Sequence, residues 1–278
     1  AMAPGFCLIG DPAVKRLLAR FAQSRYPTRL IDNIPLAFDG PQEDEFAMAA
    51  LSQHAFIHAF SFPRRARELF DGSVLFDGLS DTERTRWADV YLSLLRKVTL
   101  VCEGRRLLVK NCAHTARIPT LLELFPDARF LHIHRDPYRV FPSTMHMHRT
   151  VIRRSQLQSV DEPQIEANVL HFYEKLMRRF LADRPRIPSG HLAEVRFKDL
   201  ETSPLDTLHH VYRELDLPGF ARAEPRFRAY IASVTDYRKN VYPQDESVID
   251  LVNRHWAFSF DAWGYESIDS DRGRGRTA

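Results

Sequence analysis

Four groups of residues in this chain have the types and spacing for chemistry on an anion. The first is Arg135 and Ser143, within FLHIHRDPYRVFPS at residues 130–143. Phe130, Leu131 and Ile133 are apolar and strand-prone, so the segment predicts a short buried strand ending at Arg135. Asp136 is a good N-cap and Pro137 suits a first helical position, which puts Ser143 about two turns into a helix. In open α/β sheets, ligands sit at the carboxyl ends of strands. The free N–H groups of a helix start favour an anion, and a guanidinium adds a two-pronged clamp. The plainer alternative is an ordinary strand–turn–helix whose arginine pairs with Asp136 or a surface carboxylate. Location alone leaves both open.

The second group is Lys110 and His114, within RRLLVKNCAHTARI. Residues 106–109 predict a buried strand that delivers Lys110 to the same sheet edge as Arg135. A lysine there can stabilise negative charge developing on a leaving oxygen, and a histidine nearby can accept a proton. A solvated strand end and a capping or core histidine are the competing description. The third group is the acidic run Gln42-Glu43-Asp44-Glu45 ahead of a helix. Acids in a first helical turn are favoured by the helix dipole. The fourth is Tyr237-Arg238-Lys239-Asn240, where two cations beside an aromatic can close over a phosphate or simply lie exposed.

These residues need a scaffold. Helical patterns are predicted over 11–23, 45–58, 80–101 with Ser80 as cap, 117–124, 137–153, 162–184, 204–215 and 248–258. Strands are predicted near 106–110, 129–134 and 192–197, and a loop over 30–44. Strands alternating with helices imply an α/β fold, a parallel sheet flanked by helices. Residues 1–266 read as one domain and 267–278 as a flexible polar tail. Trp256 and Trp263 are expected in the core.

Composition narrows the class. With 44% hydrophobic and 27% charged residues, the chain is globular. The net charge of +3 is mild, and no basic run is interleaved with aromatics, so nucleic acid is not the expected partner. Of the 39 Lys and Arg residues only six are lysines, which supplies many forks for phosphate or sulfate. No apolar run is long enough to span a membrane, and the first residues show no signal-peptide pattern. Cys7, Cys102 and Cys112 lack metal spacing and suggest reduced thiols in the cytoplasm. His132, His134, His146 and His148 do not complete a ligand set, so no metal is expected. The oligomeric state is not legible.

The spacing of Arg135, Pro137 and Ser143 resembles the 3′-phosphate-binding motif of sulfotransferases that use 3′-phosphoadenosine 5′-phosphosulfate. The longer run KNCAHTARIPTLLELFPDARFLHIHRDPYRVFPST is similar to the bacterial branch of that family. The acidic run at residues 41–45 resembles a P-x-E-D-E signature of the same branch. The resemblance implies a P-loop-NTPase-like sulfotransferase fold. It implies that Arg135 and Ser143, with Arg238 and Lys239, hold the 3′-phosphate. It implies a catalytic role for Lys110, with His114, Glu43 and Glu45 competing as base. The product would be adenosine 3′,5′-bisphosphate, and the acceptor a small-molecule hydroxyl or amine.

Several positions depart from the family pattern. Cys112 stands where proline is common, Asn240 where glycine is usual after Arg-Lys, and Lys198 in VRFKDL where an acid is common. The family's first strand and its glycine-Ser/Thr phosphate loop find no counterpart among the eleven glycines. Met2-Ala3-Pro4 is similar to residues that follow that loop in relatives. The expectation is a sulfotransferase lacking its first strand and loop, and weak or inactive in this form. The alternative is a non-catalytic homologue that binds a nucleotide or a protein partner. A P-loop kinase is disfavoured because no G-x-x-x-x-G-K-[ST] motif is present.

Overall fold

The computed structural model describes residue 28, residue 31 and residues 42–268 except 238 and 244. The helix expected over 11–23, most of the loop over 30–44, Arg238, and the tail beyond 268 lie outside the described residues. The principal elements are α1 (Asp44–Leu51), α2 (Asp81–Val101), α3 (Ile118–Leu124), β1 (Phe130–His134), α4 (Pro137–Met147) and α5 (Glu162–Asp183). They continue as β2 (Leu192–Arg196), α6 (Phe197–Thr202), α7 (Pro204–Glu214), α8 (Phe220–Ser233) and α9 (Glu246–Trp263). Short helical turns fill much of 58–75 and 148–155. No described helix is long and apolar enough to cross a membrane.

The chain divides into two compact units. The first runs up to Arg117 and takes in Met147–Asn168; the second comprises Ile118–His146 and everything from Val169 on. In the first unit α2 is the main scaffold. Ser80 and Glu83 form a reciprocal capping box at its start. Its inward face buries Trp87, Tyr91 and Leu94. Trp87 stacks on Tyr91 at 4.9 Å and meets Phe76 edge-on at 4.8 Å. Phe76 is left-handed (φ 58°), a conformation costly for a side chain with a Cβ. Its packing on Trp87 and the 2.6 Å bond from the Arg84 guanidinium to its carbonyl hold it there.

In the second unit β1 and β2 form a parallel pair, with Phe130 opposite Leu192 and His134 opposite Arg196. One cluster joins Ile118, Phe180, Ile187 and Trp263; another joins Ala193, Val195, Val211 and Leu215. Trp256 is fully buried and its indole N–H donates to the Leu170 carbonyl at 3.0 Å. Both tryptophans expected in the core are there.

Three expectations need correction. Residues 106–110 form no strand, and Leu108 is 89% exposed. A strand exists only through a ladder, and among the described residues β1 and β2 pair only with each other. The apolar run Leu107-Leu108-Val109 therefore stays an irregular extended segment. Second, β1 is not apolar-inward: His132 and His134 are buried, whereas Leu131 and Ile133 are 39% and 45% exposed. The inward face is an aromatic stack, with His132 lying 4.0 Å from Phe180 and His134 stacked 5.5 Å from Trp263. Third, the helix expected over 45–58 ends at Leu51, whereas that expected over 137–153 stays helical through Ser155 and only widens into a π-helical turn at His148–Ile152. The sequence reading also passed over α8, whose interior Pro225 argues against a helix although Phe220 and Phe227 pack one face of it on Tyr212.

Candidate active site

In the first unit, three consecutive acids at the start of α1 each hold a different cation or ring, with Asn111 shared between the second and third. Glu43 is the N-cap residue and pairs with the exposed Lys110 ammonium. Asp44 faces inward: its Oδ2 accepts from the Tyr91 hydroxyl at 2.7 Å and lies 3.0 Å from His114 Nε2. Its Oδ1 accepts from Asn111 Nδ2 at 2.7 Å. Glu45 is buried against Arg117, whose guanidinium reaches both carboxylate oxygens at 2.9 and 3.1 Å. Asn111 and the Phe56 backbone N–H also donate to Glu45, at 2.7 and 2.5 Å.

The partners sit where they do for local reasons. Lys110 ends the extended segment. Asn111 follows and caps the short 3-10 turn Cys112–Ala116, its Oδ1 accepting from the Ala113 N–H at 2.9 Å. That turn carries His114. Cys112 opens that turn, with its sulfur 3.8 Å from Lys110 Nζ. Tyr91 comes from the buried face of α2. Arg117 is anchored from behind by the Ser73 carbonyl at 3.0 Å and lies over the rings of Phe76 and Trp87 at 5.2 and 5.0 Å.

Burial pushes the Asp44 and Glu45 carboxyls up, but their partners outweigh it. His114, Tyr91 and Asn111 hold Asp44 below its ordinary range; Arg117, Asn111 and the Phe56 N–H do the same for Glu45. Both are carboxylates at neutral pH. Tyr91 is pushed up, by burial first and by the Asp44 charge second, and stays a neutral donor. Glu45, with both oxygens occupied in the interior, is built as an anchor. His114 is different: its Nδ1 is buried with no hydrogen-bond partner among the described residues.

In the second unit, β1 leads into Arg135, Asp136 and α4. Asp136 Oδ1 accepts from the Tyr138 N–H at 2.9 Å, so its side chain caps the helix and does not neutralise Arg135. Arg135 instead lies over the Phe197 ring at 4.7 Å, and among the described residues no carboxylate pairs with it. Ser143 is partly exposed on the second turn of α4. Lys239 pairs with Glu201 at 2.7 Å.

The structure thus brings Lys110, His114, Glu43 and Glu45 into one connected set. Arg135, Ser143 and Lys239 belong to the other unit. The sequence reading missed Asp44, Tyr91, Asn111 and Arg117. Asp44 stood inside the acidic run already singled out, and Asn111 beside Lys110 had the type of a cap. Tyr91 follows Trp87 by one helical turn, a core signal that hides a polar role. Arg117 carried no local signal.

The comparisons with known proteins agree on one family. The family model described as "Sulfotransferase family" matches residues 12–222. Curated relatives from Mycobacterium bovis and Mycobacterium tuberculosis, each called omega-hydroxy-beta-dihydromenaquinone-9 sulfotransferase Stf3, are 32% identical over 90% of this chain. The chain spans 64% of their length. Two crystal structures share the fold. Sulfotransferase STF9 from Mycobacterium avium matches 94% of this chain and 64% of its own, with a TM-score of 0.69 and 21% identity. Sulfotransferase STF1 from Mycobacterium tuberculosis H37Rv matches 89% of this chain and 63% of its own, at 0.64 and 19%. The α/β architecture is that of these enzymes, and the chain belongs to the sulfotransferase family.

Proposed function

We propose that this chain forms the acceptor-side and 3′-phosphate-side parts of a sulfotransferase acting on a hydroxyl group. Bound 3′-phosphoadenosine 5′-phosphosulfate supplies the sulfuryl group, and adenosine 3′,5′-bisphosphate departs. Arg135 and Ser143 hold the 3′-phosphate. Arg135 suits this because its planar face rests on Phe197 and, among the described residues, no carboxylate competes for its donors. Arg238 and Lys239 assist from the segment before α9. Lys110 places positive charge beside the bridging oxygen as that oxygen becomes anionic. His114 takes the proton of the acceptor hydroxyl. No metal takes part in this reading.

The observation that carries the proposal is the coupling of Lys110 and His114 to one helix start. Glu43 tethers the lysine and Asp44 holds the histidine, so residues 110 and 114 are fixed by neighbouring acids of α1. A cation for the leaving oxygen and an acceptor for the proton are thereby held by the same two elements. Such placement is what a direct group transfer, with no covalent enzyme intermediate, needs from a protein.

The relatives' name points to the acceptor class: a hydroxyl on a hydrophobic quinone-type molecule. An amine is the second possibility. The free thiols of Cys102 and Cys112 are in keeping with a reducing, cytoplasmic setting. A transfer assay with labelled sulfuryl donor, run on the full-length protein over hydroxylated prenylquinones, phenols and amines, tests this reading. Transfer to a hydroxyl supports it. Nucleotide binding with no transfer to any acceptor would favour the non-catalytic alternative.

A further inference from the structure

We infer that Asp44 is a positioning residue that locks His114 in the Nε2–H tautomer and leaves Nδ1 as the atom that accepts the acceptor's proton. The inference deepens the sulfuryl-transfer reading and rests on it for its catalytic consequence. The geometric part stands without it.

Three polar atoms meet in a triangle. Asp44 Oδ2, Tyr91 Oη and His114 Nε2 are 2.7, 2.9 and 3.0 Å apart. Two protons must occupy it. Asp44 is ionised and can only accept. The Tyr91 hydroxyl carries one proton, which it donates to Asp44. If Nε2 carried no proton, its lone pair would face a carboxylate oxygen at 3.0 Å with nothing between them. The second proton therefore sits on Nε2 and points at Oδ2. Nδ1 is then a bare lone pair.

That nitrogen is buried and has no partner among the described residues. A buried acceptor without a donor is costly, and each such group calls for an explanation. A donor brought by the acceptor molecule supplies one. When the hydroxyl oxygen attacks sulfur, an S–O bond forms, and the S–O bond to the bridging oxygen breaks with its electron pair going to the departing bisphosphate. The hydroxyl proton moves to Nδ1. The resulting imidazolium keeps its Nε2–H bond to Asp44, as a buried aspartate does for its histidine in hydrolase triads.

Asn111 makes the arrangement directional. Its Oδ1 is committed to the Ala113 N–H, so its Nδ2 must face Asp44 and Glu45 as a donor. In Asp44→Asn the new amide must turn its oxygen toward Asn111 and its NH2 toward Tyr91 and His114. The NH2 would then donate to Nε2 and drive the ring proton to Nδ1, blocking the base. An isosteric change thus becomes a tautomer switch.

The test is ¹⁵N-edited NMR of the histidine ring at alkaline pH, combined with steady-state kinetics. Wild type should show His114 protonated on Nε2. Asp44→Asn should show it protonated on Nδ1, with a similar melting temperature. Its kcat should fall on the order of 10³- to 10⁴-fold while KM changes by less than about threefold. Tyr91→Phe should keep the wild-type tautomer and lose no more than about tenfold in kcat. A wild-type Nδ1–H tautomer, or Asp44→Asn with an unchanged tautomer and kcat, overturns the inference. If no acceptor is sulfated by wild type, the functional reading fails, while the tautomer pair still decides whether Asp44 positions the ring.

Discussion

The two units hold their ionisable groups in opposite ways. In the first, each acid at the start of α1 has a cation or donor assigned to it, and even the deeply buried Glu45 is closed off by Arg117. In the second, Arg135 rests on an aromatic ring, and His132 and His134 are buried among Phe180 and Trp263. On the proposed function, the first is a preorganised network that fixes a proton acceptor and a cation. The second rests a guanidinium on a ring face with no carboxylate paired to it among the described residues, and on the proposed function its donors serve a phosphate. On that reading one unit holds geometry and the other receives charge.

That contrast breaks most sharply at Arg117. Removing a guanidinium that is fully buried leaves Glu45 charged and enclosed. Arg117→Met should destabilise the protein by on the order of 3–5 kcal/mol, seen as a lower urea midpoint. A loss under about 1 kcal/mol would mean that Glu45 is not the anchor described.

Arg135→Ala should behave in reverse. Its ring contact is worth about 0.5–1 kcal/mol, so stability should barely move. Affinity for adenosine 3′,5′-bisphosphate should fall by on the order of 2–4 kcal/mol, measured by calorimetry. Equal affinity in both proteins, or none in wild type, removes Arg135 from the site.

Acid acts through histidines in both units. Burial, then the neighbouring His134 and Arg184 charges, push His132 down from 6.5 to about 3. The unfolded chain takes up that proton as pH falls below 6.5, whereas the native state does not until about 3. Stability from this group is complete above 6.5 and is lost progressively between the two values, by on the order of 2 kcal/mol at pH 5. His134 and, in the first unit, His148 add to the same trend, each lowered to about 4 mainly by burial. Asp44 and Glu45 are lowered carboxyls, so their contribution survives until pH drops below the ordinary carboxylate range. Urea melts at pH 7.5, 6 and 5 should show a slope that His132→Phe flattens. An unchanged slope in that variant would place the acid sensitivity elsewhere. The smallest effect belongs to the capping box: Ser80→Ala should cost about 1 kcal/mol of stability without touching activity. A drop in kcat would show that α2 responds in a way its cap alone does not explain.

How much of this was legible beforehand follows the range of the interactions. Asp136 and Pro137 announced the start of α4, Ser80 and Glu83 that of α2, and the apolar residues of 192–197 announced β2. Each depends on neighbours within a few positions. Residues 106–109 misled because an apolar run looks like a strand whether or not a partner lies beside it. The inward turn of His132 and His134 depended on Phe180 and Trp263, far along the chain. The candidate site shows the same divide. Lys110, His114 and the acidic run were visible as types. Their assignment was not, because Glu45 meets Arg117 72 residues away and Asp44 meets Tyr91 47 residues away.

The central claim is that Lys110 and His114, held by neighbouring acids of α1, perform sulfuryl transfer. Lys110→Ala tests it most directly, since an exposed lysine can be removed without disturbing the core. In a labelled-sulfuryl transfer assay on the full-length protein, the account predicts turnover by wild type. It predicts a fall in kcat on the order of 10²- to 10³-fold in the variant, with nucleotide affinity and melting temperature nearly unchanged. Turnover in Lys110→Ala at the wild-type rate would contradict it.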